Sequence, residues 1–141
     1  MSTTAVATQT IYPALRYRDA HAALAWLEKA FGATKHAAYE EDGVVVHAEV
    51  AIAGNMIMFG QERDDSYPVR SPASAGCTTG AIYVVLPDAT AIDAMFARAT
   101  AAGAKVQRRV NDTGYGSHEF GVLDLDGNPW SFGTYRPMAH P

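Results

Sequence analysis

The chain repeats itself. Gly54-Asn55-Met56-Ile57-Met58-Phe59-Gly60 and Gly127-Asn128-Pro129-Trp130-Ser131-Phe132-Gly133 share the pattern G-N-x-x-x-F-G, 73 positions apart. Gly32-Ala33 and Gly103-Ala104 match at a spacing of 71, and Asp19 and Asp88 at 69. A drift of four residues over ordered matches fits a duplication whose insertions fell in loops. A duplicated chain is confined to folds in which two like modules pack together, and that restriction outweighs any single motif.

One copy shows the elements. A short extended run over residues 11–17 leads to Asp19, whose carboxylate can accept from the unpaired amides of a helix start. Ala23, Leu24, Leu27 and Phe31 then recur at helical spacing, with Trp26 beside them, and Gly32 stops the helix. Residues 34–40 and the β-branched run Val44–Ile52 read as strands, and Gly54-Asn55 turns the chain back into residues 56–60. The second copy repeats the order, with a strand over residues 81–86 and a helix capped by Asp88 that carries Ile92, Met95, Phe96 and Ala99 on one face. Strands over 105–110, 117–125 and 129–135 complete it. The expectation is an α+β domain of two tandem βαβββ modules over residues 9–61 and 81–137. Residues 62–80 form a polar, Pro/Ser/Gly-rich linker and residues 1–8 a flexible N-terminus. Neither half can cover its own sheet, so the halves pack as one domain.

Composition narrows the function classes. A formal charge of -4 without any basic run argues against nucleic-acid binding. The one cysteine, Cys77, can form neither an internal disulfide nor a Cys-rich zinc site, and it has no basic neighbour to activate it. No apolar stretch approaches the roughly 20 residues of a membrane helix, and the start of the chain lacks the features of a secretory signal. The setting expected is the cytoplasm.

Leu123-Asp124-Leu125-Asp126-Gly127-Asn128-Pro129-Trp130-Ser131-Phe132-Gly133-Thr134-Tyr135 and His47-Ala48-Glu49-Val50, within paired βαβββ modules, resemble the vicinal oxygen chelate superfamily. That superfamily includes glyoxalase I, bleomycin-resistance proteins, fosfomycin-resistance enzymes and extradiol dioxygenases, and the resemblance is to a glyoxalase-like branch. It implies curved half-barrels around a central cavity, modules paired within or between chains, and a homodimer. In metal-dependent members, His or Glu ligands stand on the first and last strand of each module. Carried over, those positions fall on Tyr12, Met58, Ala81 and Ser131, none of them suited to zinc or iron. No metal or cofactor is therefore expected, a divalent metal being the less favoured alternative.

Alternation along the strands sets the rest. His47 and Glu49 share one strand face, taken as the cavity side, opposite Val44, Val46, Ala48, Val50 and Ile52. The repeat's offset puts Phe120 and Val122 in the matching positions of the second copy, His118 two residues earlier, and Glu119 on the helix side. Tyr12, Met58, Tyr83, Ser131 and Tyr135 fall on the concave face, a lining of rings and hydroxyls suited to a planar small molecule. Tyr115, between two glycines, is either a lid or a hairpin tip. Trp130 and Phe132 read as core, and Asp124 and Asp126 as turn residues. Three functions follow. The first is a metal-free module binding a small aromatic or drug-like molecule. The second is a metal-independent lyase or isomerase with Glu49 and His47 as acid-base groups. The third is a metal-dependent glyoxalase or dioxygenase.

Overall fold

The computed structural model describes residues 8–138; the N-terminal segment up to residue 7, and His140, lie outside them. The first module runs β1 (Ala14–Tyr17), α1 (Ala20–Phe31), β2 (Thr34–Glu41), β3 (Val44–Ile52) and β4 (Asn55–Gln61). A four-residue helix, α2 (Pro72–Ala75), interrupts the linker. The second module runs β5 (Ile82–Val85), α3 (Ala89–Ala101), β6 (Lys105–Asp112), β7 (His118–Leu123) and β8 (Pro129–Gly133). The two four-stranded sheets have the same order, β1-β4-β3-β2 and β5-β8-β7-β6, with the first strand parallel to the last and the others antiparallel. The chain is thus α+β, two tandem βαβββ modules whose open sheets form half-barrels.

Local chemistry explains the boundaries. Asp19 and Asp88 cap the long helices, accepting from the Ala22 and Ala91 amides at 3.1 and 2.9 Å. Gly32, at φ 69°, ends α1 in the left-handed region that side chains avoid. The β2–β3 and β3–β4 hairpins turn on Asp42-Gly43 and Ala53-Gly54, all four at positive φ, as two-residue hairpins require.

Both helices pack into one core shared by the two modules. Leu27, Phe31, Val50 and Phe59 from the first module meet Ile92, Phe120, Trp130 and Phe132 from the second, all at most 2% exposed. Phe31 of α1 lies 4.9 Å from Trp130 and 5.0 Å from Phe132, ring centre to ring centre. Arg98 of α3 donates to the last carbonyls of α1, Lys29 O at 2.9 Å and Glu28 O at 3.0 Å, where the helix dipole favours a cation. Because the helix-side faces of both sheets are spent on this core, the opposite faces carry the half-exposed and polar side chains. Those faces are where a site can be built.

Candidate functional site on the open sheet faces

Strand register decides which side chains share the open face of module two. Tyr83 of β5 stands beside Ser131 of β8, which stands beside Gly121 of β7, which stands beside Arg108 of β6. One step along, Glu119 faces Gly133. Tyr83 is 37% exposed, and Tyr115 and Tyr135 are more exposed still, their rings meeting edge-on at 5.6 Å. Tyr135 follows β8 rather than lying in it. The Tyr83 hydroxyl donates to the Tyr135 carbonyl at 2.7 Å, and the Tyr115 hydroxyl donates to Glu119 Oε1 at 2.9 Å. Arg108 reaches the same carboxylate oxygen at 3.1 Å. Tyr115 therefore folds over the sheet as a cover on Glu119, an arrangement that holds its hydroxyl proton and raises its pKa.

The corresponding face of module one is built differently. Met58 stands beside Ala14 and Glu49. His47 Nε2 lies 2.8 Å from Glu49 Oε2, and His36 Nε2 lies 3.9 Å from Glu49 Oε1. A cavity of about 360 Å³ next to them is lined by Arg16, His47, Met58, Gly60, Arg63 and Tyr67 among others. The linker closes one end of it. Asp65 makes a two-pronged pair with the buried Arg16 at 2.8 Å, and the Tyr67 ring covers the guanidinium at 4.8 Å. The Arg16 hydrogen bonds hold the Asp65 carboxyl down to about 2. Tyr12 lies before β1, with its hydroxyl donating to the Gln9 carbonyl at 2.9 Å.

The faces expected for β7 are corrected. Phe120 is fully buried, stacked on Phe132 and edge-on to Phe96, so it belongs to the core and not to the open face. Val122 is buried with it. His118 also turns to the helix side, where its ring nitrogens lie 2.8 Å from Asp93 of α3 and 2.7 Å from Asp112. Glu119, expected on the helix side, takes the open face. The cause is one residue of loop length. Ala51 pairs with Met56 across four intervening residues, whereas Leu123 pairs with Pro129, the counterpart of Met56, across five. The longer turn shifts β7 by one position relative to the glycine motif, and a shift of one exchanges the faces of a strand. His47 of module one is consequently matched by Glu119, and Glu49 by Gly121. A smaller difference occurs in β3, where a bulge near Val46 lets Val45 take the buried position expected of its neighbours.

His118 has carboxylates on both ring nitrogens, a geometry that suits the doubly protonated ring, and hydrogen bonding to Asp93 and then Asp112 raises its pKa above the ordinary imidazole value. Stabilisation from a raised pKa is complete below the unfolded-state value and disappears as pH rises through the folded-state value. The melting temperature should thus decline modestly as pH climbs above about 6.5. His118→Gln should remove that slope, and thermal scans across pH check it. An unchanged slope in the variant would assign it to another group.

Asp124 and Asp126 do more than shape their turn. Asp124 Oδ1 accepts from the Asp126 and Asn128 amides at 3.0 and 2.9 Å, while Oδ2 accepts from the Tyr17 hydroxyl at 2.7 Å and Trp130 Nε1 at 3.0 Å. Asp126 accepts from the Arg18 backbone amide at 2.7 Å and pairs with its guanidinium at 3.1 Å. Both acids tie the last hairpin of module two to the β1–α1 junction of module one. The sequence signal is an asymmetry: the first copy has Ala51 and Ala53 where the second has these acids.

The side chains at the positions that hold a metal in some proteins of this architecture do not fit one. Met58 and Ser131 offer a thioether and a hydroxyl, Tyr12 is engaged with Gln9, and Ala81 offers nothing. Among the described residues no group of three or more His, Cys, Asp or Glu side chains is placed to hold a metal ion. Nor is any described helix long and apolar enough to cross a membrane.

Fold, duplicated hairpins and open sheet faces together define the class. The chain belongs to the glyoxalase/bleomycin resistance protein/dioxygenase superfamily, whose pattern matches residues 9–132. An uncharacterised protein of Mycobacterium bovis is 32% identical over 124 residues, spanning 86% of this chain and 80% of its own. Among solved structures, TioX from Micromonospora sp. ML1 is 26% identical and superposes with a TM-score of 0.70 over 94% of this chain and 100% of its own. The fosfomycin resistance protein FosX from Listeria monocytogenes, solved with Mn(II) and a dihydroxypropylphosphonic acid, shares the fold at 17% identity and a TM-score of 0.66, covering 92% of this chain and 91% of its own.

Proposed function

We propose that this protein binds a small aromatic or drug-like molecule on its open sheet faces without a divalent ion, and that it works as a homodimer in the cytoplasm. The observation that carries this reading is the cluster of Tyr83, Tyr115 and Tyr135, three rings left exposed on one sheet face above a hydroxyl- and carboxylate-bearing floor. Tyr12, Tyr39 and Tyr67 are exposed as well, but the rings of Tyr115 and Tyr135 touch each other and are tied to Tyr83, and exposed rings gathered in this way suit a surface meant for contact. Rigid rings with polar tips suit a planar partner, because they offer large contact area at low entropic cost. Superfamily relatives named for resistance to bleomycin and fosfomycin handle molecules of drug size, which supports the same class of ligand. A second copy covering the open faces would turn them into an enclosed cavity, and the exposed free thiol of Cys77 suits a reducing compartment.

The alternative is acid-base chemistry on module one, supported by the 2.8 Å contact between His47 and Glu49 beside the 360 Å³ cavity. Such a dyad can move a proton at a carbon next to a carbonyl in a lyase or isomerase step.

Thermal-shift titration against planar bicyclic aromatics, catechols and small dicarbonyls, with sedimentation velocity on the same sample, tests the reading. Aromatic probes should raise the melting temperature with increasing concentration, by about 2.7 kcal/mol of stability at one hundred times Kd. The protein should sediment at twice 15.1 kDa. Turnover of a dicarbonyl that is lost in Glu49→Gln, with no stabilisation by aromatics, would favour the alternative.

A further inference from the structure

Glu119 is 4% exposed, and both hydrogen bonds that it accepts, from Arg108 and from Tyr115, end on Oε1. Its Oε2 accepts none. No fully buried side-chain polar atom among the described residues lacks a partner, so Oε2 remains in reach of solvent at the base of the tyrosine cluster. Gly133 makes room for it: a Cβ there would lie 2.5 Å from the Tyr83 hydroxyl and 3.0 Å from both Glu119 Oε2 and the Ser117 hydroxyl. Three oxygens therefore converge over a glycine. The Tyr83 proton is given to the Tyr135 carbonyl, while Ser117 Oγ accepts from the Tyr135 amide and turns its own proton to the Tyr83 oxygen, so neither hydroxyl supplies a donor to Glu119 Oε2. A carboxylate oxygen with only water to donate to it can exchange that water for a ligand's N–H. Arg108 already supplies the positive charge at this carboxylate, so a neutral N–H completes the site better than a second cation.

We infer that the open face of module two selects planar aromatic molecules carrying a neutral N–H donor, an amide or aryl amine, that donates to Glu119 Oε2 while the ring lies among Tyr83, Tyr115 and Tyr135. This rests on the aromatic-binding reading above and adds the ligand group it recognises. Tyr115, flanked by Gly114 and Gly116, swings aside to admit the ring and then closes on it.

Calorimetric titration with naphthalene-2-carboxamide and with methyl naphthalene-2-carboxylate tests it, since the two share a ring and differ in the N–H donor. The full-length protein should bind the amide at least about tenfold more tightly, the worth of a hydrogen bond to a charged acceptor. In Glu119→Gln that preference should fall to within about twofold, because the new amide group can turn its own N–H toward the ligand. Tyr115→Phe is a second variant, at a side chain 63% exposed and safe for folding. It removes the hydroxyl that shares the carboxylate's charge through Oε1, leaves Oε2 the stronger acceptor, and should strengthen amide binding severalfold relative to the ester. Equal binding of amide and ester by the native protein would overturn this inference and leave aromatic binding standing. Failure of both probes to bind would overturn both. A preference that survives Glu119→Gln, or amide affinity unmoved by Tyr115→Phe, would place the recognition elsewhere.

Discussion

Asp124→Ala should lower the free energy of unfolding by about 3–5 kcal/mol, because it leaves two fully buried donors unpaired at about 1–3 kcal/mol each. The carboxylate is 6% exposed and serves the Tyr17 hydroxyl, the Trp130 indole and the Asn128 and Asp126 amides at once. Tyr17 and Trp130 are themselves at most 1% exposed, so after the substitution their O–H and N–H groups have neither the carboxylate nor water to receive them. Burial first, and then Asp124, raises the Tyr17 pKa well above its ordinary value, so the phenol stays a donor and needs an acceptor. Urea denaturation of the native and variant chains gives the difference directly. A loss below about 1 kcal/mol, the worth of one ordinary hydrogen bond, would contradict the role assigned to this side chain.

Phe31→Ala should cost a similar amount, about 3–5 kcal/mol, through a different mechanism. The ring is 2% exposed and lies within 5.2 Å, centre to centre, of Trp26, Trp130 and Phe132. Two of those neighbours belong to the other module, so the cavity opens where the halves meet. Backbone and rings around it are held by both sheets and cannot collapse to fill the space. Because the two modules share this core, native unfolding should be a single transition, and the variant's midpoint should fall without separating into two. A change under about 1 kcal/mol, or two resolved transitions in the native protein, would show that the modules fold on separate cores.

Much of this fold is legible in the sequence because its signals are local. Asp19, Gly32 and the spacing of Ala23, Leu27 and Phe31 specify α1, and Asp42-Gly43 and Gly54-Asn55 mark hairpins, since each acts through its own backbone or helix face. The faces of β7 were harder. Taken alone, the alternation of Phe120 and Val122 with Glu119 and Gly121 points to the buried and open sides that are observed. The 73-residue offset of the glycine motif points the other way, because it ignores the extra residue held in the Asp124–Asn128 turn. A duplicated sequence transfers secondary structure faithfully and register only as far as its turns are the same length.

The remaining site features depend on contacts distant in sequence. Asp65 meets Arg16 from 49 residues away, and Asp126 meets Arg18 from 108 away, with no motif joining either pair. Glu119 gains its significance from Gly133, Tyr83 and Ser117, which gather only when three strands pair. Residues whose role depends on what lies across a sheet are readable only once the register is known.

A planar aromatic molecule is proposed to lie on the tyrosine-bearing face of module two. Amide shifts in a 15N-labelled sample titrated with naphthalene-2-carboxamide test it most directly. Concentration-dependent shifts should appear at Tyr83, Tyr115, Glu119, Ser131 and Tyr135, with Phe120 and the α1 amides nearly still. Shifts concentrated on α1 and α3, or none up to the solubility limit of the probe, would contradict it.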